Sequence, residues 1–313
     1  MSGLIALVFP GQGSQSVGMG FELSQAYAIA QQTFSEADDL LGFSISKLAW
    51  QGPAEQLNDT VYTQPALLTH SIAALRVLFE LKPELVVSFT AGHSVGQISA
   101  LVAAGALSFP SAINLVRIRG ELMKLAGQRN PGGMAAIMGL DLTALEQVCK
   151  DASTADEKVE IANDNCPGQV VISGANPAVE RAIALAQQAG ARRARNLAVS
   201  IAAHSSLMVG AQDEFNQALH QTSIVDPRIP VISNVTAQPI VDAAQVRTDL
   251  HAQLTSRVRW TESIQYIIHQ GVSKIIEIGP GNVLTGLQKR IDDAIQGLSF
   301  AAPPDLDKGI QDL

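Results

Sequence analysis

The feature that most constrains this chain is an alternation of short apolar runs with longer helical ones, joined by glycine-rich turns. Residues 4–9 (LIALVF) form a continuous apolar run of strand length, and Pro10-Gly11-Gln12-Gly13 turns the chain behind it. Residues 22–41, and then 65–80 following Pro65, carry helical spacing. Residues 85–91 repeat the buried-strand pattern and 97–104 the helix after it. Strands without a polar face, alternating with helices, predict a parallel sheet covered by helices on both sides. Residues 231–235 and 274–278 are expected to be further strands of that sheet.

The order changes in the middle of the chain. Residues 133–140 read as a strand, 142–152 as a helix, 159–163 and 169–173 as strands around the turn Asn165-Cys166-Pro167-Gly168, 177–189 as a helix and 193–199 as a strand. The order β-α-β-β-α-β is that of a ferredoxin-like unit. The expected organisation is therefore an α/β core from residues 1–127 and 200–298, a ferredoxin-like α+β subdomain inserted at 128–199, and a loose tail at 299–313. That tail contains Pro303-Pro304 and little periodicity.

Bulk properties exclude several function classes. A net charge of -8 cannot neutralise phosphates across a broad face, so no nucleic-acid partner is expected. Cys149 and Cys166 are too few for a disulfide framework and lack metal-ligand neighbours, so a reduced compartment and packing roles are expected, with no metal. The N-terminal apolar run is too short for a signal peptide and has no basic lead. No apolar run approaches the length of about 18 residues that a span needs, so no membrane partner is expected and the cytoplasm is the default location. A monomer is the expected state.

The chemistry is carried by Gly92-His93-Ser94-Val95-Gly96, which lies between the apolar run and the Ala-rich helix. A strand–turn–helix elbow exposes a serine Oγ above the sheet, with flanking glycines where backbone and helix approach. The bland alternative is a glycine-rich turn with an incidental N-cap serine. FPGQGSQ at 9–15 lacks the third glycine of a dinucleotide fingerprint, since position 16 is Ser16, and it has no P-loop lysine. It is either an ordinary strand–helix turn or an oxyanion loop, in which Gln12 and Val95 offer backbone N–H groups.

A serine needs a base. Of the six histidines, His93 adjoins Ser94 and is expected to point away, while His70, His220, His251 and His269 fall in helical segments, on the surface or in packing. His204 stands where a strand end runs into a turn, which suits either a catalytic or a structural residue. In the helix at 111–126, the stripe Ala112, Leu115, Val116, Leu122, Met123, Ala126 places Arg119 on the apolar face. A guanidinium there must be paired, with a protein carboxylate or with a ligand's.

Taken together these residues resemble the malonyl-CoA:acyl carrier protein transacylase family, in its discrete or trans-acting polyketide forms. The resemblance covers roughly residues 4–292. It rests on FPGQGSQ (9–15), QPALLT (64–69), GHSVG (92–96), RGELM (119–123), NCPGQVVISG (165–174), His204 with the following SSLM, and EIGPGNVLTGL (277–287). It implies an α/β-hydrolase-like core with the acyl site between core and insert. It also implies Ser94 as acyl-carrying nucleophile, His204 as its base, Arg119 and Gln12 as substrate-binding residues, and Gln12 and Val95 as oxyanion donors. A backbone carbonyl at Gln253 would orient the histidine in place of an aspartate. The substrate implied is malonyl-CoA, the partner an acyl carrier protein, and no cofactor. The sequence departs from the family's pattern at Gln97, where glutamate is common, at Ala202-Ala203, and at Arg257. Arg192, Arg193 and Arg195, or Lys289 and Arg290, are candidate docking residues for an acidic carrier. A thioester hydrolase using the same serine and histidine, an acyltransferase of relaxed selectivity, and an inactive carrier-docking scaffold are the rival readings.

Overall fold

The computed structural model describes residues 4–199 and 201–313. In chain order, the first half of the core comprises β1 (Leu4–Phe9), α1 (Phe21–Ala26), α2 (Ala28–Leu41), α3 (Ile45–Gln51), α4 (Ala54–Leu57), α5 (Thr60–Leu81), β2 (Phe89–Gly92), α6 (Gly96–Ala103) and α7 (Phe109–Arg129). The smaller sheet and its helices follow as β3 (Gly132–Met138), α8 (Leu142–Ala152), β4 (Val159–Cys166), β5 (Gln169–Ala175), α9 (Asn176–Gln188) and β6 (Arg193–Asn196). The chain then returns through α10 (Val209–Gln221), β7 (Val231–Ile232), β8 (Pro239–Ile240), α11 (Ala243–Gln253), α12 (Trp260–His269), β9 (Val272–Ile278), α13 (Val283–Ile291), β10 (Gln296–Phe300) and α14 (Pro303–Gly309).

The larger sheet has strand order β10-β9-β1-β2-β7-β8, parallel throughout except for the β7–β8 pair. β1 lies inside it and is buried along five of its six residues, as a strand covered on both faces must be. The smaller sheet is antiparallel with order β4-β5-β3-β6, the arrangement that a β-α-β-β-α-β chain adopts when its first and third strands pair centrally. The two sheets are stitched together where β4 meets the segment after α11. Val258 N–H donates to Ala162 O (2.8 Å) and Asp164 N–H to Val258 O (2.9 Å).

Local chemistry moved several boundaries. The helical stretch at 22–41 breaks at Tyr27, whose backbone is extended (φ -129°, ψ 121°). α5 starts before Pro65, because Asp59 caps it by accepting from Val61 N–H at 3.1 Å, and Pro65 is carried inside the helix. β2 is shorter than the apolar run before it, and strand geometry at 231–235 ends at Ile232, leaving Ser233 and Asn234 to bond through their side chains.

The expectation of a loose tail is corrected. β10 pairs in parallel with β9, and α14 docks with Phe300 and Leu306 fully buried. Pro303-Pro304 reads as a breaker in sequence but occupies the first turn of α14, where missing N–H groups cost nothing. The carboxylate of Asp305 accepts from Ala302 N–H at 3.0 Å and completes the cap.

Candidate active site

The turn from β2 into α6 is built by close approach. A Cβ on Gly92 would sit 2.0 Å from the Gly96 backbone, and one on Gly96 would sit 2.2 Å from Phe9 O, so neither position accepts a side chain. Between them Ser94 is held at φ 52°, in the left-handed region that non-glycine residues rarely adopt. Asn234 secures this conformation: its Oδ1 accepts from Ser94 N–H (2.7 Å) and its Nδ2 donates to Gly92 O (2.7 Å).

His204 is buried and also left-handed, at φ 60°. Its Nδ1 lies 2.9 Å from Gln253 O and 3.1 Å from Ser256 O. Carbonyl oxygens only accept, so Nδ1 carries the proton and Nε2 is left as the acceptor. Ser94 Oγ lies 2.7 Å from that nitrogen and donates to it. Burial, followed by the nearby Arg119 charge, lowers the His204 pKa to about 3, so the imidazole is neutral at pH 7.

Arg119 is buried in α7 and meets no carboxylate among the described residues. Its Nη1 donates to Gln64 Oε1 (2.9 Å), its Nη2 to Gln253 Oε1 (3.0 Å) and to Ser94 Oγ (3.2 Å), and its Nε has no partner among the described residues. Burial lowers its pKa to about 10, which still leaves it charged at pH 7. Two glutamine chains hold it. On one side Gln64 Nε2 donates to Thr60 Oγ1 (2.8 Å), which donates to Gln12 Oε1 (3.1 Å). On the other, Gln253 Nε2 donates to Ser94 O (3.1 Å) and to Gln97 Oε1 (2.5 Å), and Gln97 Nε2 donates to the buried Asp249 Oδ2 (2.5 Å). Burial pushes the Asp249 pKa up, and the hydrogen bonds from Ser233 and Gln97 pull it back.

Ser94, His204 and Arg119 face a cavity of about 970 Å³ between the two sheets, lined also by Gln12, Met134 and Val171. Val95 also lines it, and among the described residues the backbone N–H groups of Gln12 and Val95 donate to no protein acceptor. The described residues include no cluster of His, Cys, Asp or Glu able to hold a metal ion.

Ser94, His204, Arg119, Gln12, Val95 and Gln253 come together at one place. Gln253 does so twice, through the carbonyl and through an unforeseen side chain. His93 turns away to Asn165 Oδ1 (2.8 Å) and packs against Trp260. Of the departures, Ala203 lines the cavity, whereas Ala202 and Gln97 are buried behind it, and Arg257 bonds Glu262 at 3.0 Å. Glu277 of the last motif accepts from Leu284 N–H (3.0 Å) and Thr285 N–H (2.7 Å), anchoring the start of α13. Gln64, Asn234 and Asp249 were not read from the sequence. Gln64 had a signal, as the first residue of the QPALLT motif.

The model of the family described as "Acyl transferase domain" matches residues 6–307. The chain belongs to that family. Within it, the acyl transferase is 48% identical over 294 residues, 94% of each chain, to the malonyl CoA-acyl carrier protein transacylase of Haemophilus influenzae. It is 44% identical over 298 residues to that of Escherichia coli K12, covering 95% of this chain and 96% of the relative. Among solved structures it resembles the acyl carrier protein S-malonyltransferase of Vibrio cholerae, with TM-score 0.93, 45% identity, and coverage of 97% and 99%. It also resembles a malonyl-transacylase in complex with its type II PKS acyl-carrier protein, with TM-score 0.96, 43% identity, and coverage of 99% and 100%. The acyl transferase has no helix long and apolar enough to cross a membrane among its described residues.

Proposed function

We propose that this acyl transferase moves a malonyl group from malonyl-CoA to the phosphopantetheine thiol of an acyl carrier protein, through a malonyl ester on Ser94. The observation that carries the reading is Arg119. A buried, charged guanidinium with no carboxylate partner among the described residues, 3.2 Å from a serine oxygen that also faces a neutral histidine, is a receptor for an acyl group ending in a carboxylate.

In the first half-reaction His204 Nε2 takes the Ser94 hydroxyl proton as Oγ bonds to the thioester carbonyl carbon. The backbone N–H groups of Gln12 and Val95 hold the oxyanion. When the C–S bond breaks, the sulfur takes the proton from His204 and CoA leaves. In the second, His204 deprotonates the carrier thiol, sulfur attacks the ester, and Oγ recovers the proton as it departs. Arg119 keeps the acyl carboxylate in register through both steps. Acyl exchange between sulfur and oxygen asks for a nucleophile, a base and oxyanion donors. The chain's own residues are assigned to all three, so the reading invokes no cofactor. The core is assigned to residues 1–127 and 200–298, together with the segment 299–313 that docks on it, and the insert to 128–199, with the cytoplasm as the place of work.

Intact-mass spectrometry after incubation with malonyl-CoA tests the reading. The wild type is expected to gain one malonyl group and Ser94→Ala none; an equal adduct on both refutes the assignment. The hydrolase alternative is separated by persistence: the adduct of a transferase waits in buffer and disappears on addition of holo carrier protein.

A further inference from the structure

The chain of amides behind Arg119 has a direction, and one residue sets it. Asp249 is buried and accepts hydrogen bonds from Ser233 Oγ and from Gln97 Nε2. Ser233 Oγ already accepts from Val235 N–H (3.0 Å) and Thr236 N–H (2.8 Å), so its one proton goes to Asp249. A carboxylate fixed in this way only accepts. The NH₂ end of Gln97 must therefore face it, and Gln97 Oε1 must face Gln253. The NH₂ end of Gln253 must then turn to Gln97 Oε1 and Ser94 O, which leaves Gln253 Oε1 for Arg119.

We infer that Asp249 is a positioning residue for the acyl carboxylate: through Gln97 and Gln253 it keeps a carbonyl oxygen, rather than an NH₂ group, against the Arg119 guanidinium. The inference rests on the assignment of Arg119 as the carboxylate receptor. Asp249 touches no reacting atom, and Gln97 lies behind the cavity wall. Reversing the dipoles would put the Gln253 NH₂ against Arg119 and drive the guanidinium from its place beside Ser94 Oγ.

The polarity argument makes an unusual ordering of variants. Asp249→Asn is nearly isosteric, and its oxygen keeps the Ser233 proton, but its NH₂ then faces Gln97. Restoring complementarity requires both glutamines to flip. Asp249→Ala removes the acceptor without imposing the reversed order. Gln97→Glu sets two carboxylates together. In Gln97→Glu/Asp249→Asn the new asparagine donates to the new glutamate, whose other oxygen accepts from Gln253, so the original direction is recovered.

The experiment measures acylation of Ser94 by malonyl-CoA and by acetyl-CoA in full-length wild type and these four variants. In Asp249→Asn the malonyl kcat/KM is expected to fall roughly ten- to a hundredfold, the range a hydrogen bond to a charged group carries. Acetyl transfer should change far less. Asp249→Ala should lose less than Asp249→Asn, Gln97→Glu should lose as Asp249→Asn does, and the double variant should return close to wild type in its malonyl/acetyl ratio. A packing role predicts the opposite order, with alanine worse than asparagine, parallel losses for both acyl groups and no rescue; that result overturns the inference. Where Asp249→Asn or Gln97→Glu is insoluble, Asp249→Ala and the double variant decide: a lowered ratio in the former against a kept one in the latter supports it, and equal ratios overturn it. A wild type that takes no malonyl group overturns the functional reading and this inference together, whereas an active wild type with the packing order overturns this inference alone.

Discussion

Replacing Arg119 by methionine separates a structural arginine from one kept for a ligand. The side chain keeps its length and apolar stem and loses its charge and donors. A pKa lowered from the ordinary arginine range to about 10 means that folding works against the charged form by about 3 kcal/mol, at about 1.4 kcal/mol per unit. Removing the charge relieves that penalty. It also strips the Gln64 and Gln253 carbonyl oxygens of their donor, at about 1–3 kcal/mol each. The two effects nearly cancel, so Arg119→Met should change unfolding free energy by no more than about 2–3 kcal/mol. Malonyl transfer does not share that cancellation. Two charge-assisted hydrogen bonds to the acyl carboxylate, at about 1.5–3 kcal/mol each, correspond to a loss of roughly 10²–10⁴-fold in kcat/KM. Acetyl transfer, with no carboxylate to hold, should be spared by comparison. Competition between malonyl-CoA and acetyl-CoA read by intact mass, beside urea denaturation, provides both numbers. An unchanged malonyl/acetyl ratio, or a collapse of the fold, would refute the reasoning.

Three further outcomes follow from the same structure. His70 is buried with Nε2 2.9 Å from Ala301 O, and burial lowers its pKa to about 4. The unfolded chain therefore binds this proton first, and stability falls as pH drops from about 6.5 to about 4, by about 3 kcal/mol. His70→Leu should flatten that part of the stability–pH curve measured by denaturant titration. His204, lowered to about 3, loses stability over the window from about 6.5 to about 3, so acid sensitivity should remain in that variant. Leu306→Ala in α14 should cost about 2–4 kcal/mol by denaturant titration, whereas a loose tail would register nothing. Asn234→Ala leaves Ser94 N–H and Gly92 O without their bridge, and should lower acylation by roughly tenfold or more while Ser94 remains present.

What was legible in the sequence was what neighbouring residues determine. The elbow at Ser94 is spelled out by glycines two positions either side, because the close contacts forbidding a Cβ are made within that turn and against β1. Arg119 was visible because a charge in an apolar stripe is anomalous within one helix. The partners of that charge were not visible. Gln64 lies 55 positions away and Gln253 134 positions away, and nothing local in either segment says that a guanidinium will arrive. Asp249 belongs to a helix of mixed character whose burial depends on how α11 lies behind the active site. The tail was misread because a proline pair means an irregular segment in isolation and a first helical turn once an aspartate caps it.

The carbonyl support of His204 bears on the fate of the acyl-enzyme. Two neutral oxygens fix the imidazole's tautomer but lend no full negative charge to an imidazolium, and Arg119 repels one. Such a base holds a proton weakly, so it must pass it on within the same half-reaction. In loading, the proton goes from Ser94 Oγ through Nε2 to the departing CoA sulfur; in unloading, it goes from the carrier thiol through Nε2 back to Ser94 Oγ. What rests on the enzyme between the two is the acyl group alone, with no proton stored on the histidine.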